Sequence, residues 1–206
     1  MKTICGLDEA GRGALAGPLY LAAVIFPFNF NFKKVAQNLK VKDSKELTQK
    51  QRLAVYEIIQ KYALKIDREI IGVEEINKNG INWANIEGFR RLVERNKAGC
   101  YIIDGRWRIP NLGKKTACTS CVIKADRNIP AVLAAGIVAK IERDLLMKKL
   151  HLEFPLYGWE TNSGHGTLKH LLALKKFGLS PYHRLQFVKT ALKNFKYNQT
   201  WQKIVF

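Results

Sequence analysis

The 206-residue chain lacks the features that would place it in a membrane or send it out of the cell. No apolar run approaches the roughly 18 residues that a membrane span needs. Met1-Lys2-Thr3 opens onto a short apolar run that soon meets Asp8-Glu9, without the long apolar stretch and small-residue cleavage site of a signal peptide. A cytoplasmic monomer is the expectation. Internal repeats and low-complexity segments are absent. Cysteine is scarce: Cys5, Cys100, Cys118 and Cys121. Cys118 and Cys121 form a lone CxxC, with neither a second pair nor histidines at zinc-binding spacing. Read as part of a strand, they fall on opposite faces, and buried structural thiols in a reducing compartment are expected. Acids are few as well. Seventeen Asp and Glu stand against 35 Lys and Arg, a net charge of +18. An enzyme of small metabolites rarely carries such a balance; a polyanionic partner, most commonly nucleic acid, accounts for it.

What is present is ordinary globular material, 47% hydrophobic and 25% charged, enough for one sizeable core. Residues 3–8 and 19–26 read as strands, with an irregular Phe- and Asn-rich stretch from 27 to about 42. Residues 48–63 read as a helix capped by Thr48, with Leu53, Tyr56 and Ile59 at helical spacing. A strand is expected at 64–71, helix over most of 73–97 with a break near Asn79-Gly80, and strands at 100–104 and 118–124. Pro130 suits the first turn of a helix reaching about Leu150. A loop over 155–166 leads to two basic helices at about 167–177 and 184–197. In the last, Leu185, Val188, Leu192 and Phe195 make an apolar stripe, while Lys189, Lys193 and Lys196 fall on another face. Strands alternating with helices indicate an α/β fold with a mixed sheet.

The acids carry the chemical signal. Asp8 and Glu9 end the first strand, Asp104 ends the fourth and Asp126 follows the fifth. Strand ends gathered at one edge of an α/β sheet build its site. A cationic protein gains nothing from clustering four carboxylates there unless a cation binds them. Carboxylate oxygens suit Mg²⁺ or Mn²⁺, and two such ions about 4 Å apart can activate water and stabilise a leaving oxygen on a phosphodiester. Taken singly, each acid could equally cap a turn or a helix start; together they form the layout of a nuclease.

The ordered motifs resemble the ribonuclease HII (type 2 ribonuclease H) family. Gly6-Leu7-Asp8-Glu9-Ala10-Gly11-Arg12-Gly13 with Leu15-Ala16-Gly17-Pro18 is similar to its opening motif, Asp43-Ser44-Lys45 to the next and Ile103-Asp104-Gly105 to the third. Lys124-Ala125-Asp126 with Ala134-Ala135, Ala139-Lys140 and Arg143-Asp144 resembles the fourth. Tyr157-Gly158-Trp159, Gly164, Gly166-Thr167 and His183-Arg184 with Phe187 resemble the C-terminal motifs. The resemblance spans nearly the whole chain in the right order. It implies an RNase H-like fold: a mixed five-stranded sheet flanked by helices, with a C-terminal helical segment. Residues 1–206 would form one catalytic domain, with the core over about 1–150 and a substrate-binding segment over about 151–206. It also implies an endonuclease acting on RNA paired to DNA, and on ribonucleotides embedded in duplex DNA. Such an enzyme cuts on the 5′ side of the ribonucleotide to leave a 3′-hydroxyl and a 5′-phosphate, and serves ribonucleotide and RNA-primer removal. By motif, Asp8, Glu9, Asp104 and Asp126 would be the catalytic, metal-binding acids. Gly11, Arg12 and Gly13 would read the 2′-hydroxyl, which distinguishes RNA from DNA, and Lys45 would contact a phosphate. Asp144 reads as structural. Lys189, Lys193 and Lys196 are expected to track phosphates.

The sequence departs from the family at Ala14, where proline is usual, and at Arg106, where a small polar residue such as Asn is common. His165 occupies the place of the family's tyrosine, which is thought to stack on the neighbouring deoxyribose. His165 can stack too, and an imidazole can titrate near neutral pH. Two other readings compete. Other nucleases of the same fold use acidic clusters but lack a Gly-Arg-Gly turn directly after Asp-Glu, and type 3 ribonucleases H usually carry an extra N-terminal domain. A non-catalytic RNA-binding protein would share the charge but need no such acids. A sliding clamp is a candidate partner, through a short C-terminal peptide near Trp201 to Phe206 that contains Ile204-Val205-Phe206.

Overall fold

The computed structural model describes residues 2–35 and 47–195. Along the chain these form β1 (Thr3–Ala10), β2 (Leu19–Pro27), the single-turn α1 (Phe32–Val35), α2 (Gln49–Tyr62), β3 (Lys65–Ile71), α3 (Val73–Asn79), α4 (Ile81–Arg95), β4 (Cys100–Asp104), β5 (Thr119–Val122) and α5 (Pro130–Glu153). The C-terminal segment adds α6 (Trp159–Asn162), α7 (Leu168–Phe177) and α8 (Leu185–Asn194). The strands make one mixed sheet in the order β3-β2-β1-β4-β5. β1 is antiparallel to β2 and parallel to β4, so it lies at the centre, with Leu7 opposite both Ala23 and Ile103. The chain therefore has the α/β mixed sheet that the alternation of elements predicts, with the five strands and helical C-terminal segment that the family resemblance implies.

β2 shows why the sheet is covered on both faces. Leu19 through Phe26 are all buried, and the two-residue period of a strand divides them. Leu19, Leu21, Ala23 and Ile25 pack with Phe89, Leu92 and Val93 of α4. Tyr20, Ala22, Val24 and Phe26 pack with Val55 and Ile59 of α2 and with α5. The central helix α5 crosses β1 at Gly6, where a Cβ would lie 2.1 Å from the Ala131 carbonyl carbon. Glu142 of α5 ties three elements together: it accepts hydrogen bonds from the Tyr20 and Tyr56 hydroxyls at 2.6 and 2.7 Å, and its carboxylate pairs with Arg68 of β3. A third cluster, around Trp159, Tyr157, Leu174 and Val188, packs the C-terminal helices against Met147 and Leu150 of α5.

Local signals explain the helix starts. The Thr48 hydroxyl accepts from the Gln51 amide while the Gln51 side chain accepts from the Thr48 amide, a capping box for α2. Gly80, with φ of 83°, separates α3 from α4, as the Asn79-Gly80 break predicts. Among the described residues, no helix is long and apolar enough to cross a membrane.

Three expectations need correction. The strand read over 118–124 is only Thr119–Val122. Cys118 closes a 3-10 turn (Gly113–Cys118), and Lys124 sits in the left-handed region with φ of 55°. That turn resets the alternation, so Cys118 and Cys121 pack half-buried against the same α4-side core rather than on opposite faces; all four thiols are free. In α8 the apolar stripe is incomplete, because Leu185 in its first turn is 55% exposed. Lys45, Lys196 and Ile204-Val205-Phe206 lie outside the described residues.

Candidate active site

Neighbouring residues of a strand point to opposite faces, so Asp8 and Glu9 leave β1 on different sides. Asp8 shares the α5 face with Gly6. The helix that touches Gly6 at Ala131 reaches Asp8 at Gly136, where a Cβ would stand 2.3 Å from the Asp8 Oδ2. Only a glycine leaves that carboxylate its place. Asp104 ends the parallel neighbour β4 and accepts a hydrogen bond from the Ala125 amide at 2.8 Å. That bond draws in the 3-10 turn Ala125–Arg127, which carries the buried Asp126. The sheet edge thus brings the four sequence-predicted acids into mutual electrostatic range.

Their charges register it. Burial, then Glu9, Asp104 and Asp126, push the Asp8 carboxyl well above the usual carboxylate range. Burial and Asp104 raise Glu9 to about 7, opposed by the Arg12 guanidinium. Such crowding is unfavourable without a compensating cation. The acids approach without closing up: among the described residues, no three His, Cys, Asp or Glu side chains converge into a ready-made metal site. The donors are nonetheless all hard oxygens, partly desolvated, and cleared of a Cβ at Gly136. That chemistry fits Mg²⁺ or Mn²⁺.

Two clefts meet at Glu9. One, of about 250 Å³, is lined by Asp8, Glu9, Gly11, Arg52, Lys140 and His165 among others. The other, of about 510 Å³, is lined by Glu9, Arg12, Asn82, Asp104 and the run Gly105-Arg106-Trp107-Arg108. The predicted residues Gly11 and His165 therefore face the first cleft and Arg12 the second. Gly13 stands open, with no atom within 4 Å of an added Cβ. Lys189 and Lys193 are exposed on α8 and line neither cleft. Burial, Arg143, Lys140 and Arg184 hold the His165 imidazole below its ordinary pKa, which corrects the expectation that it titrates near neutral pH.

Two fully buried arginines that the sequence reading gave no role fix the Gly11–Pro18 loop. Arg143 donates to the carbonyls of Pro18, Ala16 and Ser163 at 3.1, 3.1 and 2.8 Å. Arg184 donates to those of Gly17 and Arg12 at 2.9 and 3.0 Å. Burial lowers their pKa values to about 10 and 9, so both remain cationic at neutral pH. Gly11, at φ of 87°, lies against the Arg143 guanidinium, 1.8 Å from where a Cβ would be. Arg12 is then held outside the loop, its Nη2 donating to Asn82 at 2.8 Å and its guanidinium 5.1 Å from the Trp107 ring centroid. Asp144 accepts from Lys140 and from the Ser163 hydroxyl, as a structural residue would. Gly136 had a sequence signal: glycine inside a helix is unfavourable and marks a close approach. Asn82 and Trp107 had none.

Comparison with known proteins places the chain in a family by its sequence. The family model described as Ribonuclease HII matches residues 5–194. The Ribonuclease HII of Pelagibacter ubique is 41% identical over 192 residues, covering 91% of this chain and 96% of its own. A solved RNase HII from Archaeoglobus fulgidus, in complex with PCNA, superposes with a TM-score of 0.75 at 26% identity, covering 96% of each chain. Bst-RNase HIII in complex with Mn²⁺ superposes with a TM-score of 0.67 at 19% identity, covering 93% of this chain and 70% of its own; that likeness is one of fold alone.

Proposed function

Because the chain belongs to the ribonuclease HII family and is a ribonuclease H hydrolase acting on RNA-DNA, we propose that it is an endonuclease that cuts on the 5′ side of ribonucleotides embedded in duplex DNA, as well as in RNA-DNA hybrids. The observation that supports this most is the crowding of Asp8, Glu9, Asp104 and Asp126 at the ends of β1 and β4 and in the 3-10 turn after β5, beside a glycine-bounded turn. These four acids are the groups that would hold two divalent ions. Mg²⁺ or Mn²⁺ bound there supplies an activated water and stabilisation of the leaving 3′ oxygen.

The chain's own residues do the rest. In Gly11-Arg12-Gly13, held from beneath by Arg143 and Arg184, the missing side chain of Gly11 makes room for the Arg143 guanidinium and that of Gly13 leaves open space, so a ribose can approach the turn's backbone groups closely enough for its 2′-hydroxyl to be read. His165 offers a planar ring at the edge of the Asp8 cleft for stacking on the adjoining sugar. Lys45, Lys189, Lys193 and Lys196 add phosphate contacts, with residues from about 151 onward serving as the substrate-binding segment. The in-cell role that follows is removal of ribonucleotides and RNA primers from DNA. The test incubates the protein with an RNA-DNA hybrid, a duplex DNA carrying one ribonucleotide, and plain duplex DNA, in Mg²⁺ or in EDTA. Cutting of the first two in Mg²⁺ alone is expected. Cutting of plain DNA, or cutting in EDTA, overturns the reading.

A further inference from the structure

The arginines of this chain are almost all engaged. Arg68, Arg90, Arg91 and Arg95 pair with carboxylates. Arg52, Arg143 and Arg184 donate to backbone carbonyls, and Arg12 donates to Asn82. Arg127 also has a partner. Among the described residues Arg106 and Arg108 differ: neither makes a hydrogen bond or an ion pair, although both line the cleft that contains Glu9 and Asp104.

Their backbone is not free to drift. They flank Trp107, whose Nε1–H donates to the Asp104 carbonyl at 2.7 Å and whose ring packs 6.0 Å from that of Phe89. Gly105, at φ of 102°, makes the turn; a Cβ there would lie 2.6 Å from the Trp107 Nε1. Trp107 is thus anchored, and the residues on either side of it are presented from a fixed base. Both are exposed. Two guanidiniums, each a planar fork of donors, face a cleft that opens beside crowded acids yet take no acid from it. Guanidiniums bind phosphate bidentately and are weakly hydrated, so an anionic oxygen pair is the ligand that matches them.

We propose that Arg106 and Arg108 form a subsite for backbone phosphates of the strand being cut, on the Asp104 side of Glu9, across Glu9 from His165. The proposal rests on the endonuclease reading and deepens it. Because the His165 cleft and the arginine cleft have Glu9 in common and otherwise use different residues, a strand whose cleaved phosphate lies at the acids runs out through one cleft on its 5′ side and the other on its 3′ side. The arginine cleft grips one flank and His165 touches the other.

The test measures binding by fluorescence anisotropy in EDTA, so that no cleavage is needed, using a duplex DNA with one ribonucleotide. Wild type is compared with the double variants Arg106→Gln/Arg108→Gln and Arg106→Lys/Arg108→Lys, and with His165→Ala. Each neutralised phosphate contributes about 0.9 to the slope of log affinity against log salt. The glutamine pair should weaken binding and flatten that slope by about 1.8, while the lysine pair should keep the slope and recover part of the affinity. On duplexes whose cut strand is shortened on one flank or the other, the arginine deficit should vanish with one flank and the His165→Ala deficit with the opposite flank. An unchanged slope in the glutamine pair overturns the subsite, as does a deficit that persists whichever flank is removed. If wild type binds in this way but cuts neither substrate in Mg²⁺, the endonuclease reading fails while the subsite stands.

Discussion

The buried histidine pair behind the active-site turn sets a stability that depends on pH. The Ser180 amide donates to His183 Nδ1 at 2.8 Å, which places the His183 proton on Nε2. That nitrogen donates to His170 Nε2 at 3.0 Å, and His170 in turn donates from Nδ1 to the His165 carbonyl at 2.9 Å. A second proton on His183 would set donor against donor at Nδ1. Burial and then His170 push the His183 pKa down to about 4 from the ordinary 6.5. The unfolded chain therefore takes up this proton first, and stability is lost as pH falls. The contribution is complete above pH 6.5, drains between 6.5 and 4, and levels off below. Linkage over that window is worth about 3 kcal/mol, of which about 2 is lost between pH 7 and pH 5. The acids push the other way, because Asp8 and Glu9 have raised pKa values when folded and gain stability as they protonate. The readout is accordingly a difference. Urea unfolding at pH 7 and pH 5 is measured for wild type and for His183→Gln, and wild type should lose about 2 kcal/mol more than the variant. Imidazole NMR of the wild type supplies a check that needs no variant: His183 should remain neutral at about pH 5.5. Equal pH dependence in the two proteins, or a His183 that titrates near 6.5, would refute the tautomer chain.

Three further outcomes are expected. Gly136→Ala should abolish most cleavage, because its Cβ would meet the Asp8 Oδ2 at 2.3 Å and displace that carboxylate, and should lower stability, since overpacking a buried carboxylate outweighs the about 1 kcal/mol by which alanine favours a helix interior over glycine; unfolding curves and single-turnover rates together check this. His165→Ala should cost roughly tenfold in rate, near the low end of the roughly 1–3 kcal/mol for aromatic stacking, while His165→Tyr is tolerated; rates from pH 5 to 9 should show any His165 inflection below 6.5, in line with its lowered pKa. Neutralising Lys189 and Lys193 should flatten the salt dependence of binding by about 0.9 for each phosphate that these side chains neutralise, and an unchanged slope would place α8 away from the substrate.

Much of this architecture is legible in the residues, and what is hidden has physical causes. β2 stands out because a strand covered on both faces must be apolar throughout. The Asn79-Gly80 break shows because only glycine takes its positive φ without strain. β5 is shorter at both ends than its residues suggest because β-propensity reports packing rather than backbone geometry, and nothing local marks Lys124 as left-handed. The acids are legible as strand endings followed by turns. The placing of Asp8, Glu9 and Asp104 between two clefts is not, because it depends on which face of β1 each side chain leaves and on helices distant in sequence. The same holds for Arg143 and Arg184, whose partners are backbone carbonyls that carry no residue-type signature.

The most direct measurement uses duplex DNA with one ribonucleotide, labelled at the 5′ end of the cut strand, in wild type and in Asp104→Asn. With Mg²⁺, wild type should yield one product ending immediately 5′ of the ribonucleotide, with a 3′-hydroxyl that a polymerase can extend. Asp104→Asn should bind the duplex as tightly but cut it at least a hundredfold more slowly, because a neutral amide cannot replace a carboxylate that holds the cation. Cleavage within tenfold of wild type by the Asn variant, or products ending 3′ of the ribonucleotide in a cyclic phosphate, would contradict a carboxylate-held metal acting at this site.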